Sequence, residues 1–316
     1  MKKKTVEYGR YGIVFLVPFF LTFAVFQFYP LLYTIADSFV YTAKNGRQTV
    51  SAVGLGNYIN YIFGTAGNGE IWQALLITVA LWLLNFIPQI ILSLVLAAWF
   101  TDGQRKLKAS GAYKAIMYLP NIITAATIAV LYFNMFDTHG PITSFLYKMN
   151  IIKSDDLLYR GWFSLGLIAF IQFWMWYGNT MVVLTAGILG INPSLYEAAC
   201  VDGATSRQQF FKITLPLLKP ILQYTLVTSA IGGLQMYDIP QLLNGGGPVV
   251  RFGEGSVYST RTVVMLIKQY VSNGATQNFG RAAAYSVVLF VVTLTISMIF
   301  YIATSEKKSK RGRSMG

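Results

Sequence analysis

The sequence has little charge and almost no thiol or imidazole. Of its 316 residues only 12% are charged, and it contains one cysteine, Cys200, and one histidine, His139. A soluble domain carries about 25% charged residues, so this composition excludes a water-soluble enzyme. A single cysteine excludes a disulfide scaffold, and a single histidine argues against a histidine metal site or a cysteine–histidine nucleophile pair. With 54% apolar residues and a mean hydropathy of +0.51, the chain is not disordered either.

Several motifs of soluble chemistry are also missing from the sequence. It has no G-x-x-x-x-G-K-[ST] phosphate loop and no H-E-x-x-H, and the glycine run at 245–247 is not followed by Lys-Ser. No apolar run contains a pair of carboxylates, and Asp238 alone lies at the outer end of one. Carriers driven by protons or sodium usually have ionisable residues within the membrane. We therefore expect any transport energy to be supplied by another subunit.

Six long apolar runs make up about half of the chain. A membrane helix needs about 20 largely apolar residues. A further charge-free run at 48–69 is rich in glycine and asparagine, which is typical of a loop. The first run is too long for a signal peptide and is expected to be retained. The sequence predicts an all-α integral membrane protein with six transmembrane helices, at about 11–36, 74–99, 114–136, 162–189, 220–243 and 282–304.

The distribution of lysine and arginine predicts the orientation. Sixteen of the 25 lie in the N-terminus, in 100–114, in 190–219 and in the C-terminus, and nine lie in the three opposite segments. The positive-inside rule places both termini in the cytoplasm. The predicted domains are a cytoplasmic N-terminus at 1–10, one transmembrane domain at 11–304 with a cytoplasmic loop at 190–219 and an outer loop at 244–281, and a basic tail at 305–316. The net charge of +13 is then explained by topology and lipid headgroups, not by nucleic acid.

The cytoplasmic loop at 190–219 contains signals for two short helices. Ser194 and Glu197 have the spacing of a capping box, which predicts a helix from Leu195. Gly203 can adopt the left-handed conformation that ends a helix.

The second half of the loop repeats this pattern. Ser206 and Gln209 predict another short helix, and Pro216 lies near its end. On the first helix Ala198 and Ala199 give a face flat enough for another protein to approach closely. An ordinary amphipathic loop helix explains the caps but not the whole string.

This string resembles the EAA motif of permease subunits of binding-protein-dependent ABC importers, and its longer form resembles the carbohydrate branch, the maltose-type permeases. We call residues 190–219 the EAA loop. Shorter stretches agree: 54–58 is similar to G-L-x-N-Y, 118–120 to the L-P that opens the third span, and 237–248 to F-D followed by G-G-P. The residues that carry the EAA resemblance, and to which it assigns ATPase coupling, are Tyr196, Glu197, Ala198, Ala199, Asp202, Gly203, Leu215 and Pro216.

The resemblance implies partners and a mechanism. The EAA loop would contain a coupling helix, between the fourth and fifth spans, that docks on a cytoplasmic ATPase dimer. A second permease subunit, different from but related to this one, and an extracytoplasmic solute-binding protein would complete the importer. ATP and Mg²⁺ would belong to the ATPase, with no cofactor on this chain and no enzymatic activity of its own. The expected function is sugar or oligosaccharide import by alternating access across the cytoplasmic membrane of a bacterium or archaeon.

Polar residues within the predicted spans suggest where a sugar passes. Gln172, Trp176 and Asn179 share one helical face near the middle of the fourth span. Amides can hydrogen-bond sugar hydroxyls, and an indole can stack on the C–H face of a sugar ring. The resemblance places substrate contacts on the third, fourth and fifth spans. The other candidates on those spans are Asn121, Thr124, Thr228, Gly232 and Gln235. The alternative is that the amides bridge helices and the tryptophan fills the core.

Two other functions are weighed against sugar import. A permease for a polyol, a glycerol phosphate or a polyamine would share the EAA string, but a phosphate ester would need fixed cations in the membrane. A membrane-embedded enzyme or structural protein would lack the string, and the sequence has no catalytic cluster. Amides with aromatics suit a neutral sugar, and these are the groups that the spans contain.

Overall fold

The computed structural model describes residues 8–44, 48–64, 67, 69–102, 108–252, 255–272 and 277–305. Most of the predicted basic N-terminus and tail lie outside these residues. The chain forms two compact units. Unit 1 consists of Met1–Ile71 and Leu266–Phe290, and unit 2 consists of Trp72–Met265 and Val291–Gly316.

Unit 1 begins with an apolar helical segment. Helix α1 (Tyr8–Phe23) and helix α2 (Tyr29–Asp37) are joined by a π-helical turn at Ala24–Phe28. The stretch Gly12–Asp37 is long and apolar enough to cross a membrane, and none of its most apolar window is buried within the chain. Its exposed leucines and phenylalanines match a helix surface that faces lipid.

A β-hairpin follows this helix in unit 1. Strand β1 (Val40–Lys44) pairs antiparallel with β2 (Gln48–Ala52). The buried Asn57 holds the start of the hairpin, because its Nδ2 donates to the carbonyls of Ser38 at 2.8 Å and Val40 at 3.0 Å. With β2 and a short π-helix at Tyr58–Phe63, the run 48–69 contains no membrane helix among its described residues, as its composition predicts.

The remainder of unit 1 contains a buried ion pair that sequence analysis did not anticipate. Arg281, near the start of helix α14 (Phe279–Thr304), pairs with Glu70, the first residue of helix α3 (Glu70–Thr101). The two side chains are only 12% and 16% exposed. The guanidinium also lies over the rings of Tyr61 and Tyr270, 4.3 Å from each centroid. The ion pair thus connects the start of α14 to the start of α3, and the tyrosine rings pack on the guanidinium.

Unit 2 contains most of the helices, and it includes α3 from Trp72 onward. Its segments are connected by short turns, including a 3₁₀ turn at Leu157–Tyr159. The helices in chain order are α4 (Ser110–Ile122), α5 (Ala125–Phe136), α6 (Pro141–Lys148), α7 (Gly161–Leu189), α8 (Pro193–Val201), α9 (Ser206–Gln209), α10 (Leu215–Leu217), α11 (Lys219–Leu234) and α12 (Asp238–Asn244).

Helix α7 lies among the other helices of unit 2, and its sequence allows a very close neighbour. A Cβ added at Gly178 would lie 2.1 Å from the carbonyl oxygen of Met117, so the backbones of α4 and α7 are in direct contact. One core cluster includes Leu81, Ile128 and Ile171. Membrane helices associate through contacts of this kind, in which a small residue such as Gly178 lets two backbones approach and large apolar side chains pack around them.

The number of continuous spans differs from the predicted six. Among the described residues, four helices are long and apolar enough to cross a membrane, and a fifth span is counted only if a bent pair is taken as one. That pair, Ser110–Ile122 with Ala125–Lys148, bends by 85° within the predicted span 114–136. Thr124 explains the bend, because its hydroxyl accepts a hydrogen bond from the amide of Thr127 and caps a new helix.

The predicted span 220–243 is also in two pieces. Helix α11 ends at Leu234, directly after the Gly232–Gly233 pair, and α12 begins at Asp238. Adjacent glycines weaken a helix, and an aspartate in the first turn favours a new helix start. The continuous helix expected over 220–243 is therefore wrong.

The predicted outer loop at 244–281 has regular structure. Strand β3 (Val249–Phe252) pairs with β4 (Gly255–Tyr258), and helix α13 (Val263–Ser272) follows. The fold is thus mainly helical, as predicted, with two small hairpins that the all-α assignment did not include.

Candidate functional site

The EAA loop forms two helical segments joined by a tight turn, as its caps predict, but the caps themselves differ. The first segment is α8, and the second runs from α9 through a π-helical turn at Phe210–Thr214 into α10. Helix α8 starts at Pro193, and the side chain of Asn192 accepts a hydrogen bond of 3.0 Å from the amide of Ser194. The predicted cap at Ser194 is therefore wrong. Proline is favoured at the first helical position because it has no amide hydrogen to satisfy, so Asn192 becomes the cap.

The turn after α8 is a Schellman motif, which satisfies carbonyls at the end of the helix. The amide of Ala204 donates to the carbonyl of Ala199 at 2.8 Å, and that of Gly203 donates to Cys200 at 3.0 Å. Gly203 has φ +75°, the left-handed conformation that its sequence position predicts. An added Cβ there would meet nothing within 4 Å. Backbone conformation, and not crowding, is therefore what favours glycine here.

The second helix of the loop is capped by Thr205 and Gln208 in a complete capping box, one residue before the predicted pair. The predicted partner Gln209 is instead buried, and its Nε2 donates to the carbonyl of Ala204 at 3.2 Å. The hydroxyl of Tyr196 lies 2.9 Å from Oγ1 of Thr214, which connects the two halves of the loop. These bonds make the loop a compact unit.

Polar and apolar side chains of α8 are exposed, whereas the C-terminal end of the loop packs against the helices of unit 2. Glu197, Ala198 and Asp202 are exposed, and Val201 is 88% exposed. Leu215 and Pro216 are the first two residues of α10, which ends at Leu217. The next residue, Leu218, is fully buried in a cluster with Ala97, Leu184 and Ile188 of α3 and α7. The inner end of the loop is thus packed against α3 and α7.

A cavity of about 440 Å³ lies between the helices of unit 2. Its volume is within the range of small-ligand sites. Helices α3, α7, α11 and α12 provide most of its walls, and Ala125 at the start of α5 also lines it. The polar and aromatic residues that line it are Trp82, Asn85, Gln89, Gln172, Trp176, Asn179, Thr180, Tyr224, Thr225, Thr228, Ser229, Gln235, Tyr237 and Asp238.

Six of the eight predicted pathway residues meet at this cavity. Gln172, Trp176 and Asn179 reach it from α7, and Thr228, Gly232 and Gln235 from α11 and its end.

Asn121 and Thr124 are not among the residues that line the cavity. The Nδ2 of Asn121 donates to the carbonyl of Met175 at 3.4 Å, and Thr124 caps α5. Both therefore support the fold around the cavity.

Sequence analysis missed the wall that α3 provides. Trp82, Asn85 and Gln89 all line the cavity and are nearly fully buried. The signal was present, because Asn85 and Gln89 are amides spaced i, i+4 in the middle of an apolar run, where polar groups are costly.

The cavity has a mixed polar and apolar lining and is almost uncharged. Its described lining has hydroxyls, amides and aromatic rings, and Asp238 is the one carboxylate among those residues. No lysine, arginine or histidine is among those lining residues. Trp176 is 46% exposed, so much of its ring is available to a ligand. Such a surface can hydrogen-bond hydroxyls and stack on a sugar ring.

The chain is similar to known transport proteins. The profile of the family described as binding-protein-dependent transport system inner membrane component matches residues 76–311. The chain is 28% identical over 305 residues to the lactose transport system permease protein LacF of Rhizobium radiobacter, covering 95% of this chain and 96% of that one. It is 30% identical to the arabinooligosaccharides transport system permease protein AraP of Bacillus subtilis, covering 90% and 86%.

A solved structure has the same fold. A chain of a bacterial ABC transporter involved in the import of the acidic polysaccharide alginate matches with a TM-score of 0.72 and 22% identity, over 94% of this chain and 96% of that one. A chain of a bacterial alginate ABC transporter in complex with an alginate pentasaccharide-bound periplasmic protein matches with the same TM-score and identity.

The family match covers most of the chain and includes both the EAA loop and the cavity. The protein is therefore a transport subunit and not an enzyme, because the ATPase of these importers is a separate subunit. This chain belongs to the family of inner-membrane permease components of binding-protein-dependent ABC importers.

Proposed function

We propose that this permease imports an uncharged sugar or oligosaccharide, and that the sugar passes through the cavity between α3, α7, α11 and α12. The observation that carries the proposal is the cavity lining, which combines amides, hydroxyls and an exposed indole with no cation among the described residues. The names of LacF and AraP support a neutral sugar. A phosphate ester or an acidic sugar would gain from a fixed positive charge, which this wall does not supply.

The EAA loop is the proposed contact with the ATPase. Its exposed Glu197 suits a basic group on the partner, and the two alanines allow close approach. Because Leu218 anchors the loop among α3 and α7, closure of the ATPase dimer would move the helices that form the cavity. ATP and Mg²⁺ would bind to that partner and not to this chain.

The complete importer would contain a second, related permease, two ATPase subunits and an extracytoplasmic binding protein that delivers the sugar. Six crossings of the cytoplasmic membrane are proposed for this chain. They are the α1–α2 segment, α3, the bent α4–α5 pair, α7, the broken α11–α12 pair and α14. A broken helix within a membrane is tolerated where it lines a cavity, and α11–α12 does so.

Both termini are proposed to lie in the cytoplasm, from the excess of lysine and arginine in the segments on that side. A C-terminal fusion to a protein that fluoresces only when it folds in the cytoplasm should be bright. A dark fusion, together with an active C-terminal alkaline phosphatase fusion, would reverse the orientation and place the EAA loop on the wrong side for an ATPase.

Transport by the assembled importer tests the substrate class. The permease is reconstituted in liposomes with its partner permease, ATPase and binding protein, and uptake is measured for lactose, maltose, arabinotriose, sn-glycerol 3-phosphate, a uronate oligomer and spermidine. The proposal predicts ATP-dependent uptake of a neutral sugar only. Uptake restricted to the charged solutes would overturn it.

A further inference from the structure

We propose that helix α3 also contacts the sugar, through an edge of the cavity formed by the amides of Asn85 and Gln89. The inference rests on the proposed function of the cavity as a sugar pathway, and it extends that site to a helix outside the three spans that sequence analysis assigned to it. Asn85 and Gln89 are one helical turn apart and therefore lie on one face of α3. Both line the cavity.

The two side chains are deeply buried in the part of the chain where burial of a polar group costs most. Asn85 is 6% exposed and Gln89 is 7% exposed, and Asn85 lies midway along the 32-residue helix. A helix of this length spans the whole bilayer, so the middle of α3 lies far from water at either interface. An amide there needs hydrogen-bond partners.

Among the described residues, only the nitrogen of each side-chain amide has a hydrogen-bond partner. The Nδ2 of Asn85 donates to the carbonyl of Leu81 at 2.7 Å, and the Nε2 of Gln89 donates to Oγ1 of Thr180 at 2.7 Å. Within the described part of the chain, neither side-chain oxygen accepts a hydrogen bond. Each oxygen can accept two. Sugar hydroxyls are hydrogen-bond donors, so a sugar in the cavity supplies the missing partners.

The edge is also held in a fixed position. The Nε1 of Trp82, one turn before Asn85, donates to Oγ of Ser229 on α11 at 3.0 Å. The bond from Gln89 to Thr180 connects α3 to α7 at the other end of the edge. Because α3 is bonded to the helices on both sides, little conformational freedom is lost when a ligand binds to it.

A purely structural role for Gln89 makes a different prediction, and Ser93 is the matched control. The hydroxyl of Ser93, one turn farther along α3, donates to the carbonyl of Tyr177 on α7 at 2.7 Å. It therefore connects the same two helices, but it is not among the residues that line the cavity. If Gln89 only connected helices, removing either bond would have a similar effect.

The experiment compares Asn85→Leu, Gln89→Met and Ser93→Ala in the reconstituted importer. The probe is whichever of lactose, maltose or arabinotriose the wild-type importer takes up. We expect the first two variants to raise the KM for uptake about 3- to 10-fold, the loss of one or two hydrogen bonds, and Ser93→Ala to stay within about twofold. Amounts in the membrane and ATPase stimulation by loaded binding protein are measured in parallel.

Monodeoxy derivatives of the same sugar show whether the effect arises from a direct contact. If Asn85 accepts a bond from one hydroxyl, removing that hydroxyl from the sugar should abolish the difference between wild type and Asn85→Leu. If either variant fails to reach the membrane, Asn85→Ser or Gln89→Ala replaces it in the same series.

The outcomes separate this inference from the proposed function. Uptake of a neutral sugar by the wild type, with Asn85→Leu and Gln89→Met indistinguishable from Ser93→Ala on every sugar and derivative, would overturn the α3 edge and leave the sugar pathway intact. Absence of uptake of any neutral sugar by the wild type would overturn both.

Discussion

The EAA loop and the cavity differ in how their residues are brought together. The loop is one continuous segment whose caps, turn and exposed face are all encoded within about 30 residues. The cavity is assembled from five helices within residues 82–239, and its α3 wall is far in sequence from the α7, α11 and α12 walls. A local motif can therefore be predicted from the sequence, whereas a cavity depends on which helix faces pack against one another.

The two regions should also fail differently when they are changed. Substitutions in the loop should disconnect ATP hydrolysis from transport, and substitutions in the cavity should weaken transport of the sugar while hydrolysis continues. The following predictions test that difference.

The largest effect is expected in the loop. Gly203→Val places a β-branched residue at φ +75° and should distort the Schellman turn, at a cost of roughly 1–2 kcal/mol or more. Glu197→Lys reverses an exposed charge on α8. We expect each to lower uptake at least about tenfold while ATP hydrolysis by the complex persists.

Gly203→Asn is the matched control, because asparagine tolerates the left-handed conformation and an added Cβ meets nothing within 4 Å. It should retain most of the uptake. Uptake by Gly203→Val and Glu197→Lys at wild-type rates would remove the coupling role from the loop.

A pair of adjacent glycines on α11 tests packing against the cavity wall. A Cβ at Gly233 would lie 2.1 Å from Cδ1 of Trp82, whereas one at Gly232 would meet nothing within 4 Å. Gly233→Ala should therefore displace α3 from α11 and destabilise the protein by about 1–3 kcal/mol, while Gly232→Ala should leave stability unchanged. Thermal unfolding in detergent measures both, and equal stability of the two variants would contradict the packing described.

Side chains that face the cavity should have a smaller effect, confined to transport. Gln172→Ala removes hydrogen bonds worth about 0.5–1.5 kcal/mol, and Trp176→Ala removes a stacking surface. We expect uptake to fall about 2- to 10-fold, with ATPase stimulation by loaded binding protein retained. Trp162→Ala, at the exposed start of α7 and 72% exposed, is the control. Equal losses from Trp162 and Trp176 would indicate a general effect of removing indoles.

The smallest effect is expected at the outer hairpin. The guanidinium of Arg261 lies 4.1 Å from the ring centroid of Tyr258 at the end of β4, so the hairpin is held close to the chain that follows it. If the hairpin contacts the binding protein, replacing residues 249–258 with a short Gly-Ser segment should lower uptake severalfold without lowering the amount of protein in the membrane. Unchanged uptake would indicate a passive connection.

The sequence allowed much of this to be anticipated where the determinants are local. The left-handed Gly203 and the two helices of the EAA loop followed from residue identities. The caps were displaced by one or two residues because Pro193 and the buried Gln209 have their own preferences, which a spacing rule does not weigh. The face of α7 that carries Gln172, Trp176 and Asn179 followed from helical periodicity and a midplane argument.

What could not be anticipated depends on tertiary contacts. The bend at Thr124 and the interruption after Gly233 occur inside runs whose hydropathy is continuous, so length and composition predicted unbroken helices. Asn85 and Gln89 belong to the cavity because Trp82 packs on Gly233 and orients that face of α3 toward α11. The pairing of Glu70 with Arg281 joins residues 211 positions apart.

The most direct test of the central claim is a structure of the complete importer trapped with sugar inside, using an ATPase subunit that binds but does not hydrolyse ATP. The account predicts density for the sugar in the cavity, against the ring of Trp176 and within hydrogen-bond distance of Gln172 and of the amide oxygen of Asn85 or Gln89. Density for the sugar elsewhere in the membrane, with these side chains packed against lipid or against each other, would contradict it.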